Sequence, residues 1–551
     1  KGAKFNELLD STNVSNGPLL VGKWLALMGV VTLLCTIGML IGMAIQLVTD
    51  SPPVNVGLYL KFTYLSQLPN YLFLASLAMI IQIFVPNRIV GMLGTAGAII
   101  FVETILGRLP FYHPLIGFGG RSPGGLSEIS PYNSWAAFRW FNFYWGMFVV
   151  AFGVLGMWLW RRGLQTGLIN RFRNLKNNIS PLSGGILAAA IIGFIGSGAF
   201  IYKAYDEAEY SNRKTQEAAQ VKGEKLFAAE HDLPRPHTRA VKVDVQIYPQ
   251  KQEAVVKGAM VLQNASGEPI TELYVQVPTS HPEDLRHLTI EGATDVVDGK
   301  NADGDLISDI RYHNVRLFKF NPPLAQNAKT KVDYEVFYHG PRLADGSNIS
   351  KNGTFLNNYG GENRVVPIFG PPDLSIRSSN KRRKLGLEEL PKWPEPVAEG
   401  AELNLFGLLT GPADLIDLEA RVCTDGSQTP IAPGNLTSEE IDGNGRRCHT
   451  YKTDQPISNF FSMLSGEYTM TEDSWTAPNG KVIPIRVYHA KQHDYSVDSM
   501  IKATQVSLSH YTEHFSPYQY DYVRILEVPF IGFAQAYAGT IPYAEQGFIM
   551  N

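Results

Sequence analysis

The sequence is poor in cysteine, in net charge and in nucleotide-binding motifs. Three cysteines in 551 residues exclude a small disulfide-dense secreted fold. A net charge of -3 gives no basic surface for nucleic acid, so we expect no nucleic-acid partner. The pattern Gly-x-x-x-x-Gly-Lys-Ser/Thr occurs nowhere, so this chain has no phosphate-binding loop of its own for ATP.

Long apolar runs are confined to the first 203 residues. Five of them have the length of about 20 residues that a bilayer requires, and they lie near 23–48, 66–85, 89–107, 137–160 and 184–203. We therefore predict a cytoplasmic segment over 1–22 and a bundle of transmembrane helices over 23–203. A lipid bilayer is then the first partner of the chain.

The distribution of Lys and Arg predicts the orientation of this bundle. The loop after the fourth run has no acidic residue and carries Arg161, Arg162, Arg171, Arg173 and Lys176. Short cytoplasmic loops carry such an excess of basic residues. Counting runs from this loop places the N-terminus in the cytoplasm. Everything after residue 203 is then extracytoplasmic.

Two ionisable residues fall inside the predicted helices. Glu103 lies in the third run, and Arg139 lies at the same predicted depth in the fourth. An ionised side chain in lipid is costly and usually faces a partner or a cavity. We expect a structural ion pair between them, with a position on a substrate pathway as the alternative.

The chain changes character after residue 203. Residues 204–237 are rich in charge without a sustained apolar stripe, and they end at Pro234 and Pro236, which predicts a helical stalk or linker. Over 238–490, short runs alternate apolar and polar residues between turn clusters, a pattern typical of an antiparallel β sandwich.

Two of the three cysteines follow the membrane runs. Cys423 and Cys448 flank a loop rich in Gly, Pro and Asn, in segments that are able to pair as a hairpin. An even pair outside the membrane predicts a disulfide in an oxidising compartment. Two buried free thiols are the alternative.

The most informative stretch is 506–549. It has the pattern of the end of an amphipathic helix, a turn at Ser516-Pro517-Tyr518, a buried strand over Val523–Val528 and a Gly-rich edge that finishes on Ala544-Glu545-Gln546-Gly547. This order resembles the entry to the catalytic domain of gluzincin aminopeptidases of the aminopeptidase N type. The resemblance makes 238–490 similar to the N-terminal β domain of that family. Residues 491–551 would be the start of its α+β catalytic domain.

The resemblance implies a substrate-binding role for Tyr543, Ala544, Glu545 and Gln546. In the family, a Glu at this edge binds the α-amino group of the substrate, and the neighbouring backbone pairs with the peptide as an added strand. A carboxylate suits an ammonium ion that must be desolvated and fixed in place. The family motif Gly-Ala-Met-Glu-Asn is altered here, which puts strict aminopeptidase specificity in doubt.

No catalytic residue is visible in the sequence. The zinc motif His-Glu-x-x-His follows the edge strand by some tens of residues in relatives, and it does not occur here. The chain also begins at Lys1 rather than Met, so we expect it to be cut at both ends. Zinc is expected only if the motif follows Asn551.

Two histidine pairs at i, i+4 offer weaker metal candidates. His489 and His493 have no Glu between them, whereas His510 and His514 enclose Glu513 in the His-x-x-Glu-His pattern of inverted zincins. Helical spacing assigns the buried stripe to other positions, namely Val497, Ile501, Thr504, Leu508, Tyr511 and Phe515. We therefore expect His510 and His514 to be surface residues without a metal.

The helix block resembles the permease half of an exporter-type ABC transporter, and bacterial permeases fused to an aminopeptidase-like domain form a family. This resemblance implies a permease subunit in a bacterial inner membrane, with residues after 203 on the periplasmic side and a separate cytoplasmic ATPase partner. Its extracytoplasmic domain would bind peptides and possess zinc-assisted peptidase activity if the chain continues. Two alternatives stay open: an inactive domain that captures a peptide or protein for an exporter, and a membrane-anchored peptidase without a transport role.

Overall fold

The structure is a computed structural model, and it comprises two compact units. One covers most of residues 1–214 with 341–346, and the other covers most of 215–340 and 347–551. The residues that the structure describes are 14–49, 54–85, 87–119, 121, 135–160, 168–173, 175–207, 210–228, 230, 233–278, 284–296, 315–340, 343, 349, 353–359, 364–390, 406–407, 411–412, 414–529, 534–545 and 547.

The first unit is helical. Five of its helical stretches are long and apolar enough to cross a membrane: Asn16–Val48, Val56–Phe84, Ile89–Arg108, Ala136–Trp158 and Pro181–Glu207. The five predicted runs are therefore confirmed as helices, while their orientation in a bilayer stays a prediction. The α-helices are α1 (Asn16–Val48), α2 (Val56–Leu60), α3 (Leu68–Phe84), α4 (Arg88–Ile100), α5 (Trp135–Trp158), α6 (Leu168–Arg173) and α7 (Pro181–Glu207).

Two π-helical stretches interrupt this pattern. Lys61–Gln67 joins α2 to α3, and Phe101–Ile105 extends α4. Short 3-10 turns follow at Leu106–Arg108, Pro114–Ile116 and Leu175–Asn178. The second stretch contains Glu103, whose side chain is exposed, as is that of Arg139 on α5. The pairing of these two residues stays a prediction.

Helices α5 and α7 pack through aromatic rings and small residues. The rings of Tyr144 and Phe194 stack with centroids 4.3 Å apart, and those of Trp140 and Phe200 with centroids 4.1 Å apart. A Cβ atom at Gly193 would lie 3.0 Å from the Met147 side chain, so a small residue at this position permits the close approach of the two helices.

The second unit is rich in β-strands. Its helices are α8 (Arg213–Leu226, which begins at the boundary between the units), α9 (Ser379–Leu385) and α10 (Val497–His514). Its strands are β1 (His237–Tyr248), β2 (Glu253–Gln263), β3 (Ile270–Gln276), β4 (Leu285–Ile290), β5 (Ala293–Asp295), β6 (Val315–Leu324), β7 (Lys329–His339), β8 (Gly353–Asn357), β9 (Ile368–Phe369), β10 (Phe406–Gly407), β11 (Gly411–Pro412), β12 (Leu415–Thr424), β13 (Thr429–Ile431), β14 (Asn435–Ile441), β15 (Arg447–Lys452), β16 (Ile457–Ser458), β17 (Ser462–Gly466), β18 (Thr469–Thr476), β19 (Val482–His489), β20 (Val523–Val528) and β21 (Thr540–Ala544).

The largest sheet has eight strands in the order β14-β15-β12-β1-β2-β7-β4, with β16 beside β12. Strands β1 and β12 pair in parallel, with Val241 opposite Leu418. The sheet is therefore mixed, whereas the sequence predicted an antiparallel sandwich. Alternation along a strand shows which face is buried but does not show which distant strand will be its neighbour, so this parallel pair was not predictable.

Smaller sheets complete the β-rich unit. They have the orders β5-β6-β3-β9, β13-β17-β8, β10-β11 and β18-β19-β20-β21. The main core joins buried side chains from the eight-stranded sheet to those of the first two, for example Val243, Phe318 and Met463. The last sheet spans the predicted domain boundary at residue 490, because β18 and β19 precede it and β20 and β21 follow it.

A disulfide joins Cys423 and Cys448, which are directly opposite each other on β12 and β15. Both residues are buried, at 0% and 1% exposure. Cys35 of α1 is a free cysteine.

The predicted stalk is in part a packed element. Helix α8 ends at Leu226, and Leu226 and Phe227 are buried against Tyr274, Val315 and Leu317. Glu224 of the same helix forms an ion pair with Arg382 of α9. Apolar side chains at the last turn of this helix therefore anchor its end to the β-strands, while the role of 204–237 as a stalk or linker stays a prediction.

Candidate functional site

Three parallel strands end together in the sheet that contains β21. Tyr488 of β19 is opposite Leu526 of β20, and Val528 of β20 is opposite Ala544 of β21. At these strand ends, His489 follows Tyr488, Glu527 lies between Leu526 and Val528, and Glu545 follows Ala544. In open sheets, ligands bind outside the carboxyl ends of parallel strands, so this edge is the first place to examine.

Strand β20 carries one acidic residue in a wholly buried segment. All six residues of Val523–Val528 are buried. Val523 and Ile525 pack with α10, whereas Leu526 and Val528 pack on the opposite face. Because side chains alternate along a strand, Glu527 lies on the α10 face.

The side chain of Glu527 is 0% exposed and accepts hydrogen bonds on both of its oxygens. The Ala490 N–H donates to Oε2 at 2.6 Å, and Oε1 contacts Nδ1 of His493. The backbone N–H of His493 donates to the Ala490 carbonyl oxygen at 2.9 Å. Glu527 thus holds the turn that follows β19 in one conformation.

His493 extends the cluster to the end of β21. Its Nε2 atom lies 4.0 Å from Oε1 of Glu545, and the two side chains are 2% and 4% exposed. The Glu545 N–H donates to the Val528 carbonyl oxygen at 3.0 Å, which fixes the backbone at this position. One atom from each of His493, Glu527 and Glu545 lies within 4.8 Å of the others, a donor set able to hold a metal ion. We call these three residues the His-Glu-Glu cluster.

Tyr468 borders the cluster without joining it. Its hydroxyl donates to the backbone carbonyl of Glu527 at 3.0 Å. Burial raises the pKa of Tyr468, and the nearby Glu527 raises it further. The phenol is therefore a neutral hydrogen-bond donor at physiological pH.

Of the other predicted substrate-binding residues, the structure describes two, and these differ in their exposure to solvent. Ala544 is buried beside Glu545, Tyr543 is 39% exposed, and Gln546 lies outside the described residues. The outer edge of β21 is occupied by the preceding segment, since the N–H groups of Gln535 and Tyr537 donate to the carbonyl oxygens of Pro542 and Thr540 at 3.1 and 2.8 Å. The predicted peptide-pairing edge is therefore covered along this part of the strand.

The two histidine pairs differ in their exposure to solvent. His510 and His514 are exposed on α10, with ring centroids 4.3 Å apart, in line with the prediction of surface residues. His489 is buried, where its ring contacts the Ala490 carbonyl oxygen and the Thr471 hydroxyl. Only His493 belongs to the His-Glu-Glu cluster.

The predicted buried stripe of α10 is confirmed for its earlier residues but not for its last two. Val497, Ile501 and Leu508 are buried, whereas Tyr511 and Phe515 are 60% and 75% exposed. The Gln505 side-chain amide donates to the Ser474 carbonyl oxygen of β18, and the Ser509 hydroxyl accepts from the Trp475 indole. Both helix residues precede Tyr511 and Phe515. Spacing alone does not show where the sheet beneath a helix stops.

Sequence reasoning named His493 only in a weak pair with His489, and it did not name Glu527. Both histidines lie before α10 begins at Val497. The available signal was Glu527 itself, the one acidic residue in an otherwise apolar and basic strand. A buried carboxylate requires a partner, and that partner proved to be His493.

No protein-family model matches the sequence, and no curated protein matches it. Solved structures to which the chain is similar include M1 zinc metallopeptidases. A point mutant from Deinococcus radiodurans bound to a Tyr-Ser-Ala substrate is 13% identical, with a TM-score of 0.35 over 56% of this chain and 60% of that chain. A two-domain mutant bound to L-tryptophan is 12% identical, with a TM-score of 0.37 over 56% and 60% of the two chains.

The unmutated enzyme from Deinococcus radiodurans is 12% identical, with a TM-score of 0.33 over 57% of this chain and 61% of that chain. This chain thus spans about 60% of the length of these structures. The likeness is low and concerns the fold, and the substrate and the zinc belong to the solved enzymes.

Proposed function

We propose that the β-rich unit binds the amino-terminal end of a peptide, with Glu545 as the group that pairs with the peptide ammonium. The observation that carries this proposal is the position of Glu545, a 4% exposed carboxylate at the carboxyl end of β21, next to His493 and Glu527. Ligands of open parallel sheets bind at such an edge.

The charge of the cluster favours a cation. With both carboxylates ionised, the His-Glu-Glu cluster carries a net charge of -2 when the imidazole is neutral and -1 when it is protonated. A charge-assisted hydrogen bond from a ligand ammonium to Glu545 is strong, and it is stronger away from water.

The covered edge of β21 defines how a peptide approaches. Because the segment at 534–537 already pairs with β21, the peptide meets the strand at its end, beside Ala544 and Glu545. Recognition then rests on the first residue of the peptide rather than on a long added strand. We expect weak dependence on the peptide sequence beyond its first residues.

The residues of this site do not fit the zinc of an aminopeptidase. A catalytic zinc site takes three protein ligands and keeps one position open for water. Here Glu527 already accepts two hydrogen bonds, which leaves one imidazole and one carboxylate as direct donors. We therefore propose binding as the function of the site and derive no hydrolytic step.

For the helical unit, we propose the permease subunit of an ABC-type system. The support is the set of five apolar helices and the basic loop after the fourth. In this proposal the basic loop is cytoplasmic, and the β-rich unit lies on the extracytoplasmic side of a bacterial inner membrane. Because the sequence has no phosphate-binding loop, the ATPase is a separate cytoplasmic subunit. Purification from the native membrane tests this: an ATPase subunit in stoichiometric amount supports it, and its absence favours a simple membrane anchor.

Peptide titration of the full chain in detergent or nanodiscs, followed by calorimetry, tests the binding function. Two peptides of one sequence are compared, one with a free and one with an acetylated amino terminus. We expect acetylation and Glu545→Gln each to weaken binding by at least about tenfold, which is about 1.4 kcal/mol. Glu513→Gln, at an exposed position of α10, is the matched control. Equal affinity for both peptides would overturn the proposal.

A further inference from the structure

We infer that a pocket in the helical unit binds a neutral amphiphile with a single aliphatic chain, and that Thr63 and Gln67 recognise its polar group. The pocket lies between α1 and the segment that comprises α2, the π-helical stretch Lys61–Gln67 and the start of α3. Its volume of about 660 Å³ lies within the roughly 300–1,000 Å³ of pockets that hold small molecules. This site does not depend on the proposed peptide function.

Hydrogen bonds hold the two walls of the pocket together at both ends. The Trp24 indole of α1 donates to the Ser76 hydroxyl of α3 at 3.0 Å. The Tyr59 hydroxyl of α2 donates to Oε1 of Gln46 of α1 at 2.8 Å. The α1 residues that line the pocket fall within 31–39, between these two bonds in sequence. The pocket is therefore a feature of the packed helices rather than a gap at a loose end.

Two features of the sequence leave this space open. Gly38 of α1 has no side chain, and a Cβ atom there would meet no heavy atom within 4 Å. On the opposite wall, the Leu68 N–H donates to the Thr63 carbonyl oxygen, as in a π-helix. Pro69 follows directly and has no N–H with which to continue the regular helical pattern. π-Helical turns of this kind are frequent at functional sites.

Two polar side chains of the π-helical stretch line the pocket. Thr63 is 5% exposed, and Gln67 follows four residues later on the same wall. Within the part of the chain that the structure describes, the Thr63 hydroxyl and the Gln67 side-chain amide form no hydrogen bond. Polar groups that are shielded from water are costly unless they are hydrogen-bonded. A ligand hydroxyl both donates and accepts, so it is able to bond to either residue.

The rest of the lining determines the class of ligand. It is largely apolar, as at Leu34, Met39 and Phe62, and none of the described residues that line the pocket is an Asp, Glu, Lys, Arg or His. An ionised ligand group would therefore have no counter-charge in a place of low dielectric constant. The lining residues of α1 extend over about 12 Å at 1.5 Å per residue. These features favour a linear chain with a neutral hydroxyl or carbonyl group, such as a fatty alcohol or a monoacylglycerol.

The free cysteine provides a reporter of occupancy. Cys35 lines the pocket, whereas Cys423 and Cys448 form the disulfide. The full chain in nanodiscs is treated with methyl methanethiosulfonate, and the rate of Cys35 modification is measured by mass spectrometry at increasing ligand concentration. Native mass spectrometry counts the bound molecules independently, with one per chain expected.

Three probes of one chain length, hexadecane, hexadecanol and hexadecanoate, test the ligand class. We expect hexadecanol to slow the modification of Cys35 and to bind at least about fivefold more tightly than the other two, the effect of about one net hydrogen bond. Equal affinity for the three probes would show ordinary contact with aliphatic chains and would overturn the inference.

Variants on the two walls separate the space from the hydrogen bonds. Gly38→Leu fills the pocket and is expected to abolish protection of Cys35 by hexadecanol, whereas Gly29→Leu, also in open space on α1, is the matched control. Thr63→Val with Gln67→Leu is expected to lower hexadecanol affinity to that of hexadecane. Thermal unfolding shows that each variant is folded, and Thr63→Val alone serves if the double variant does not fold. Protection that persists in Gly38→Leu, or a hexadecanol preference that survives loss of the polar groups, would contradict the site.

Discussion

His493 and Glu527 are in contact in the interior of the β-rich unit, one in the turn after β19 and the other near the end of β20. This contact links the conformation of a turn to the carboxyl ends of the parallel strands. Through it, the imidazole is placed with Nε2 4.0 Å from Glu545.

Replacing Glu527 with Ala is expected to loosen the turn after β19. The change leaves the Ala490 N–H and His493 Nδ1 without their acceptor in a buried place, which costs about 3–5 kcal/mol of the free energy of unfolding. Hydrogen exchange of the 490–493 segment measures the local effect, and it should become faster. Glu513→Ala is the control, and unchanged exchange in Glu527→Ala would contradict the role given to this carboxylate.

Reduction of the disulfide is expected to destabilise the β-rich unit. The bond closes a loop with a sequence separation of 25 residues. On the chain-entropy model, such a loop corresponds to about 3.5 kcal/mol. Tm of the full chain in detergent, with and without reductant, measures this. The variant Cys35→Ser should show the same reductant-dependent loss, whereas Cys423→Ser with Cys448→Ser should show none.

Stability is expected to fall as the pH drops through the range in which His449 titrates. Burial lowers the pKa of His449, although Glu439 raises it in part. The unfolded state therefore binds more protons near its ordinary pKa of about 6.5, so the free energy of unfolding rises with pH there. Urea unfolding between about pH 5 and 8 measures the slope. His449→Gln should reduce it, with exposed His514→Gln as the comparison, and an unchanged slope would refute this assignment.

The end of helix α8 is expected to be a structural anchor. Phe227 is 4% exposed and packs on Tyr274 and Leu317. Phe227→Ala is predicted to cost about 3–5 kcal/mol, because buried aromatic side chains leave large cavities. Lys225→Ala, at an exposed position two residues earlier, is the control. Equal unfolding midpoints for the two variants would restore the view of this helix as a free stalk.

Local patterns predicted the elements well. The alternation of Val241, Val243 and Val245 predicted a half-buried strand, and all three are buried in β1. Apolar runs of bilayer length predicted the five long helices. In both cases the signal is the period or length of one segment, which depends little on distant residues.

Long-range pairing was beyond such patterns. The parallel neighbour of β1 is β12, and no pattern in the sequence of either strand predicts this pairing. The His-Glu-Glu cluster also depends on long-range pairing. Glu545 was predicted from the resemblance of its edge-strand motif, but His493 lies near it only because β19 and β20 are neighbours in the sheet. The exposure of Tyr511 and Phe515 shows the same limit, because the spacing of apolar residues along a helix does not indicate how far the sheet below it extends.

The central claim is that Glu545 receives the ammonium of a peptide. A structure of the full chain with a bound free-amine peptide, determined by crystallography or cryo-electron microscopy, tests it most directly. We predict the peptide nitrogen within about 3 Å of a Glu545 oxygen, at the end of β21. A peptide bound elsewhere, or one with its amino terminus directed away from Glu545, would contradict the account.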